Sequence, residues 1–359
     1  MRYIGNKTKL LPFIGEALKR LAIDGRTACD PFAGTAAVAR YLKRRGYGVA
    51  CGDILSFSYV LQRAYVALDR RPTFDGLDGW IAGAEDPLKA AVACLNDVPP
   101  RPDFIHEHFA PDGDDDDAGG RRYFTPANGA RIDAIRGQLE DWRRSRWITE
   151  DEFFVLLAAL LEAADRVANT TGVYAAYVKT WQPNSRQRLR LRVPRLLTGT
   201  GRPSDAFRGE AIDRVRGLPP FDLLYLDPPY NTRQYVGYYH IPEIIAEGWF
   251  DRRPALRGKT GLPASDGRKR SEWSRRRECE AAFRALLEAA DARHILLSYN
   301  SEGIIPESTI EQAFRARGDP DTYRRLDRDY KRYRSDSDGP DRRYRGDRVT
   351  ERLYYVRAR

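Results

Sequence analysis

The chain has 359 residues, with 61 lysines and arginines against 51 aspartates and glutamates, for a formal net charge of +10. That length allows one large α/β domain with an insertion, and the positive balance suits a phosphate-rich partner. Four scattered cysteines without C-x-x-C spacing (Cys29, Cys51, Cys94, Cys279) exclude a disulfide framework and read as the reduced thiols of a cytoplasmic protein. The longest apolar run, residues 153–161, is too short to span a bilayer, and the opening Met1-Arg2-Tyr3 does not read as a signal peptide.

Residues 27–39 read T-A-C-D-P-F-A-G-T-A-A-V-A. A short apolar strand ends at Asp30, and the turn Phe32-Ala33-Gly34-Thr35 opens a helix expected over roughly 36–45. Gly34 lets the backbone approach a ligand, and the helix start presents free N–H groups. The loop is not G-x-G-x-x-G, because both outer glycine positions are alanine, so it does not read as a pyrophosphate loop. A second strand, 47–51, leads to Asp53, 19 residues after Gly34. An acidic residue at that distance commonly receives the two ribose hydroxyls. A nucleoside held by its ribose without a pyrophosphate points to S-adenosylmethionine rather than NAD. The bland alternative is an ordinary βαβ unit with an acidic strand end.

Residues 61–204 then interrupt the α/β pattern with mostly helical sequence. The clearest helix is 151–168, where Phe153, Phe154, Leu157, Leu160, Leu161, Ala164 and Val167 recur at helical spacing before Asn169-Thr170-Thr171-Gly172 ends it. Residues 112–120, with four successive aspartates, read as a solvated loop. His106-Glu107-His108 lacks the spacing of H-E-x-x-H, and Gly258-Lys259-Thr260 lacks the first glycine of a P-loop. No catalytic metal is expected.

The α/β pattern resumes at about 205, and residues 224–230 read L-Y-L-D-P-P-Y. Phe221, Leu223, Leu224, Tyr225 and Leu226 form a buried-strand run that stops at Asp227. Pro228 and Pro229 remove two backbone donors and bar the chain from continuing the ladder. A stiff turn at a strand's carboxyl end thus offers a carboxylate, free carbonyls and the Tyr230 ring where open α/β sheets bind ligands. Further on, residues 252–277 are basic and contain Trp273, and residues 323–348 alternate Arg, Tyr and Asp. Basic residues interleaved with aromatics suit a nucleic acid, although a solvated loop neutralised by nearby aspartates explains the second stretch equally well. Residues 349–356 alternate as a final strand.

In this order, the segments resemble the Dam-like, alpha-group DNA adenine-N6 methyltransferases. Arg2-Tyr3-Ile4-Gly5-Asn6-Lys7 is similar to the family's N-terminal aromatic-Gly-x-Lys element, and Asp30–Thr35 to its cofactor loop. Asp53 and Ile54 match the acidic strand end, Arg208-Gly209-Glu210-Ala211 the step contacting the cofactor adenine, and Asp227-Pro228-Pro229-Tyr230 the catalytic motif. Leu296-Leu297-Ser298-Tyr299-Asn300 resembles a later core strand. Two positions depart from the pattern: Ala36 stands where a second glycine is usual, and Glu210 where aspartate is. The resemblance implies a Rossmann-like S-adenosylmethionine-dependent methyltransferase sheet with an inserted, mostly helical target-recognition domain. The expected division is catalytic 1–60, insertion 61–204, catalytic 205–359 with basic DNA-facing loops and a terminal antiparallel hairpin.

The resemblance further implies S-adenosyl-L-methionine as cofactor, held by Tyr3, Lys7, Asp30, Phe32, Ala33, Gly34, Thr35, Asp53, Ile54 and Glu210. It implies double-stranded DNA as partner, with a cognate restriction enzyme where the chain serves a restriction–modification system. Asp227 and the Pro228 carbonyl would accept protons from the adenine amine, and Tyr230 would stack on the flipped base. RNA base methylation, cytosine-N4 transfer and a non-catalytic DNA-binding subunit remain open at this point.

Overall fold

The computed structural model describes residues 1–111, 120–264, 271–331 and 348–359. Most of the aspartate-rich run 112–120 lies outside the described residues, as do 265–270 of the first basic stretch and 332–347 of the second. The chain divides into two compact units. One comprises Gly5–Gln62, Gly199–Gln234 and Lys269–Arg359; the other comprises Met1–Ile4, Arg63–Thr198 and Tyr235–Arg268.

In chain order the strands are β1 (Thr27–Asp30), β2 (Gly48–Asp53), β3 (Asp205–Arg208), β4 (Phe221–Leu226), the two-residue strands β5 (Leu256–Arg257) and β6 (Leu262–Pro263), β7 (Ala292–Asn300), β8 (Arg324–Lys331) and β9 (Arg348–Arg357). Seven of them build the first unit's sheet, in the order β3-β2-β1-β4-β7-β9-β8. The five strands from β3 to β7 are parallel. β9 runs antiparallel to both β7 and β8, forming the terminal hairpin expected from the alternation after residue 349. This is the Rossmann-like sheet that the resemblance implies.

β4 lies between β1 and β7, at the centre of the seven-stranded sheet, and is covered on both faces, so its pattern is continuous rather than alternating. Leu223, Leu224, Tyr225 and Leu226 are all at most 1% exposed. The strand order reverses between β1 and β4, and a crevice opens outside the carboxyl ends of strands at such a point. Asp30 closes β1, Asp53 closes β2, and Asp227 follows β4 directly.

The helix after β1 is Ala37–Arg44, one residue shorter at each end than its sequence suggests. Ala36 takes the cap position with φ 61° and ψ 28°, in the left-handed region. A glycine adopts that conformation without penalty, whereas an alanine there costs roughly 1–2 kcal/mol.

The second unit contains the helices Pro87–Asp97, Phe104–Phe109, Pro126–Arg144, Glu150–Val167 and His240–Glu247. Glu150–Val167 begins with a capping box, in which Thr149 accepts from the Glu152 N–H and the Glu152 carboxylate accepts from the Thr149 N–H. Tyr235–Arg268 belongs to this unit, whereas the sequence-based division placed it with the sheet. The reason lies in contacts between segments remote in sequence: the buried Arg136 guanidinium donates to the Ile245 carbonyl at 2.9 Å, and Arg144 pairs with Asp251.

Candidate active site

The turn after β1 is shaped by backbone bonds to the strands beside it. The Ala33 N–H donates to the Gly52 carbonyl at 2.9 Å, and the Gly34 N–H to Asp53 Oδ2 at 3.1 Å. Asp53 Oδ1 accepts from the Leu55 N–H at 2.9 Å. The carboxylate expected to meet a ribose is therefore fixed by the loop it faces. Gln62 Nε2 donates to the Gly34 carbonyl at 3.3 Å, and Asn6 Nδ2 to Thr35 Oγ1 at 3.0 Å. The Gly209 N–H donates to the Asp53 carbonyl at 3.1 Å, which brings Glu210 to the same edge. Glu210 caps the helix Ala211–Val215 by position, without a side-chain cap bond, and its carboxyl is raised by burial and then by Glu272. Ile54 is half-buried beside Asp53.

Phe32 packs edge-on against Trp273, with ring centroids 4.7 Å apart. Trp273 is 1% exposed. The expectation that this tryptophan belongs to a nucleic-acid-facing basic run is thereby corrected: its apolar ring fills the space beneath the loop of β1. Arg275, next in that run, is paired with Glu278 at 2.8 Å.

Asp227 meets Lys7, whose ammonium lies 3.2 Å from Asp227 Oδ1 and 2.5 Å from Glu351 Oε1. Ser298 on β7 donates its hydroxyl to the same Glu351 oxygen at 2.9 Å. Lys7, Glu351 and Ser298 are all buried. A lysine buried with two carboxylates keeps its charge: burial lowers its affinity for the proton, but Asp227 and Glu351 more than reverse this. The Asp227 carboxyl is pushed up to about 7, by burial first and then by the negative charge of Glu351, against the pull of Lys7. Glu351 did not stand out in the sequence, and Ser298 did so only as part of a core strand. The usable signal was a glutamate on the same face of the final strand as Leu353 and Tyr355.

Asp30 is 1% exposed, and its carboxyl is raised by burial and by the nearby Asp227, with Asp53 adding to it. Its Oδ1 accepts no hydrogen bond among the described residues. Three carboxylates thus converge at the carboxyl ends of β1, β2 and β4. A dicationic ligand head, carrying both a sulfonium and an ammonium, satisfies such a field, so the residues present fit S-adenosyl-L-methionine. Pro228 is buried, while Pro229 and Tyr230 are half-buried, with Tyr230 packed against the sheet's apolar core. Tyr3 lies in the helical unit, where it stacks on Tyr239 at 4.8 Å between centroids.

A family model for the D12 class N6 adenine-specific DNA methyltransferases matches residues 3–312. The chain belongs to this family. The Type II methyltransferase M.NlaIII of Neisseria lactamica is 34% identical over 94% of this chain and 93% of its own length. The Type II methyltransferase M.FokI of Planomicrobium okeanokoites is 36% identical over 93% of this chain, and modification methylase StsI of Streptococcus sanguinis is 33% identical over 86%. The chain spans about half the length of those two relatives, 50% and 45% respectively. Membership in the D12 class gives the reaction class, methyl transfer to the N6 amine of adenine in DNA, with S-adenosyl-L-methionine as donor. No described helix is long and apolar enough to cross a membrane.

Proposed function

We propose that this D12-class chain methylates adenine within a specific DNA sequence in the cytoplasm, marking that sequence against a cognate restriction enzyme. The Type II naming of M.NlaIII and M.FokI supports the restriction–modification setting. The pairing of Asp227 with Lys7 at the end of the central strand carries the assignment of the catalytic turn.

The adenine amine is a weak nucleophile because its lone pair delocalises into the ring. In our reading, the Asp227 carboxylate and the Pro228 carbonyl each accept one of its protons, which favours a pyramidal nitrogen with an available lone pair. Pro229 stiffens the turn that sets this geometry, and Tyr230 stacks on the base once it has left the duplex. S-adenosyl-L-methionine, when bound, supplies a sulfonium-activated methyl group. As the methyl joins N6, the nitrogen loses a proton, and Asp227 takes it. Lys7 stays cationic beside Asp227 and favours its ionised form before the transfer. Asp30, Phe32, Ala33, Gly34, Thr35, Asp53, Ile54 and Glu210 hold the cofactor, with Asp53 on the ribose. The helical segment between 61 and 204 selects the target sequence.

The test is incubation with methyl-labelled cofactor and duplex DNA, followed by nucleoside analysis. Label in N6-methyladenine, lost in Asp227→Ala with cofactor binding retained, is the expected result. Label in N4-methylcytosine or only in RNA overturns the reading. Protection of the modified DNA from a restriction enzyme of matching specificity tests the setting.

A further inference from the structure

Residues 184–195 of the helical unit read N-S-R-Q-R-L-R-L-R-V-P-R. From 188 to 192 burial alternates strictly: Leu189 and Leu191 are at most 3% exposed, while Arg188, Arg190 and Arg192 are exposed. The segment is neither helix nor sheet strand, yet its backbone is held firmly. Asn128 accepts from the Leu189 N–H and donates to the Ser185 and Gln187 carbonyls. Asn96 accepts from the Leu191 N–H and donates to the Leu191 carbonyl, and Arg131 donates to the Leu189 carbonyl. The side chains thus do for this strap what a neighbouring strand does for an edge. Period-two burial on a clamped backbone is an extended chain with one face inward.

The outward face carries only guanidinium groups. Arg188, Arg190 and Arg192 make no ion pair with any described residue. Arg131 and Arg166 lie beneath this face, donating to the Leu189 and Arg190 carbonyls, and the carboxylates in range of these two, Asp97, Glu162 and Asp165, make no ion pair with the outward arginines. Arg131 and Arg166 have a lowered hold on their protons through burial and through Arg188 and Arg192 respectively. A solvated face elsewhere in this chain pairs its arginines with carboxylates, as Glu311 does with Arg315 and Glu278 with Arg275. An extended chain advances about 3.3 Å per residue, so alternate side chains stand about 6.6 Å apart. One strand of duplex DNA carries a charge about every 3.4 Å along its axis, and because the strand also winds around that axis, successive phosphates stand roughly 7 Å apart.

We propose that Arg188, Arg190 and Arg192 form a rigid rail that tracks the phosphates of one strand of the DNA substrate. The proposal rests on the reading of this chain as a DNA methyltransferase and adds where the backbone is gripped. Phosphate contacts position without reading sequence, so the rail acts equally on target and non-target DNA.

The experiment is a salt titration of binding to labelled target and non-target duplexes, with the full chain. Replacing all three arginines by alanine lowers the slope of log affinity against log salt by two to three units, at roughly 0.9 per phosphate, on both duplexes. Replacing the three by lysine keeps the slope. A control lacking Arg20, Arg26 and Arg44, all exposed and away from the carboxyl ends of β1 and β4, also keeps it. An unmoved slope in the alanine variant, an equal drop in the control, or a drop on RNA but not duplex DNA overturns the rail. Methyl transfer by the unmodified chain is scored separately. If it labels adenine in DNA while the alanine slope is unmoved, the rail alone fails. If it labels none while the slope falls, the reaction reading fails and the rail stands.

Discussion

Burial holds the Asp227 carboxyl near 7, while Lys7 pulls it down and Glu351 pushes it up. Accepting a proton from the adenine amine requires the ionised form, so kcat/KM of the free enzyme rises with pH through about 7. Glu351→Gln removes a negative neighbour and leaves Lys7 to Asp227 alone, which shifts that rising limb to lower pH. A pH–rate profile of both proteins checks this, and an unshifted limb would show that Glu351 does not act through Lys7. The same burial has a stability consequence of definite sign. The folded chain keeps the Asp227 proton to higher pH than the unfolded chain does, so this residue lowers stability as pH rises from about 4 to about 7. Asp227→Asn therefore raises the melting temperature at pH 8 more than at pH 5, while abolishing transfer.

At the scale of elements, Ala36 is the clearest test. Glycine there relieves the left-handed backbone but gives up a buried methyl group and adds freedom to the unfolded chain, so Ala36→Gly changes stability by no more than about 1 kcal/mol. Valine at a positive φ adds β-branching in a filled site, and Ala36→Val costs about 3 kcal/mol. Urea midpoints of the two variants measure the contrast. The turns after β1 and β4 were legible because their signals are contiguous: an apolar run, an acid, then residues that end a strand. Asp53 was legible because βαβ spacing is nearly fixed. Glu351 was not, because its partners Lys7 and Ser298 lie 344 and 53 residues away, and strand pairing alone brings them together. Trp273 misled because aromatic residues among arginines read as a nucleic-acid surface, when its partner Phe32 is remote in sequence. Residues 235–268 misled for the same reason, since the bond from Arg136 to Ile245 spans 109 positions.

For the whole molecule, cofactor binding and stability are linked. A ligand at one hundred times its Kd adds about 2.7 kcal/mol to the folded state it binds. Melting with S-adenosyl-L-methionine shows such a rise for the unmodified chain and for Asp227→Ala. Asp53→Ala loses most of it, since each charge-assisted hydrogen bond contributes about 1.5–3 kcal/mol and the Gly34 N–H also loses its acceptor. Equal shifts in all three proteins would remove Asp53 from the ribose.

The clasp of Lys7 by Glu351 also sets a clock. A polypeptide is made from its amino end at roughly 5–20 residues per second, so about 20–70 s separate the synthesis of these two partners. Late in that interval, once β7 and Asp227 have been made, β7 has no neighbour on its outer side and the lysine beside Asp227 has one carboxylate instead of two. The catalytic turn is complete in sequence long before its surroundings exist. Methylating competence therefore arrives late in the birth of each molecule, with β9, and a ribosome stalled before that strand displays a cofactor loop without a finished catalytic centre.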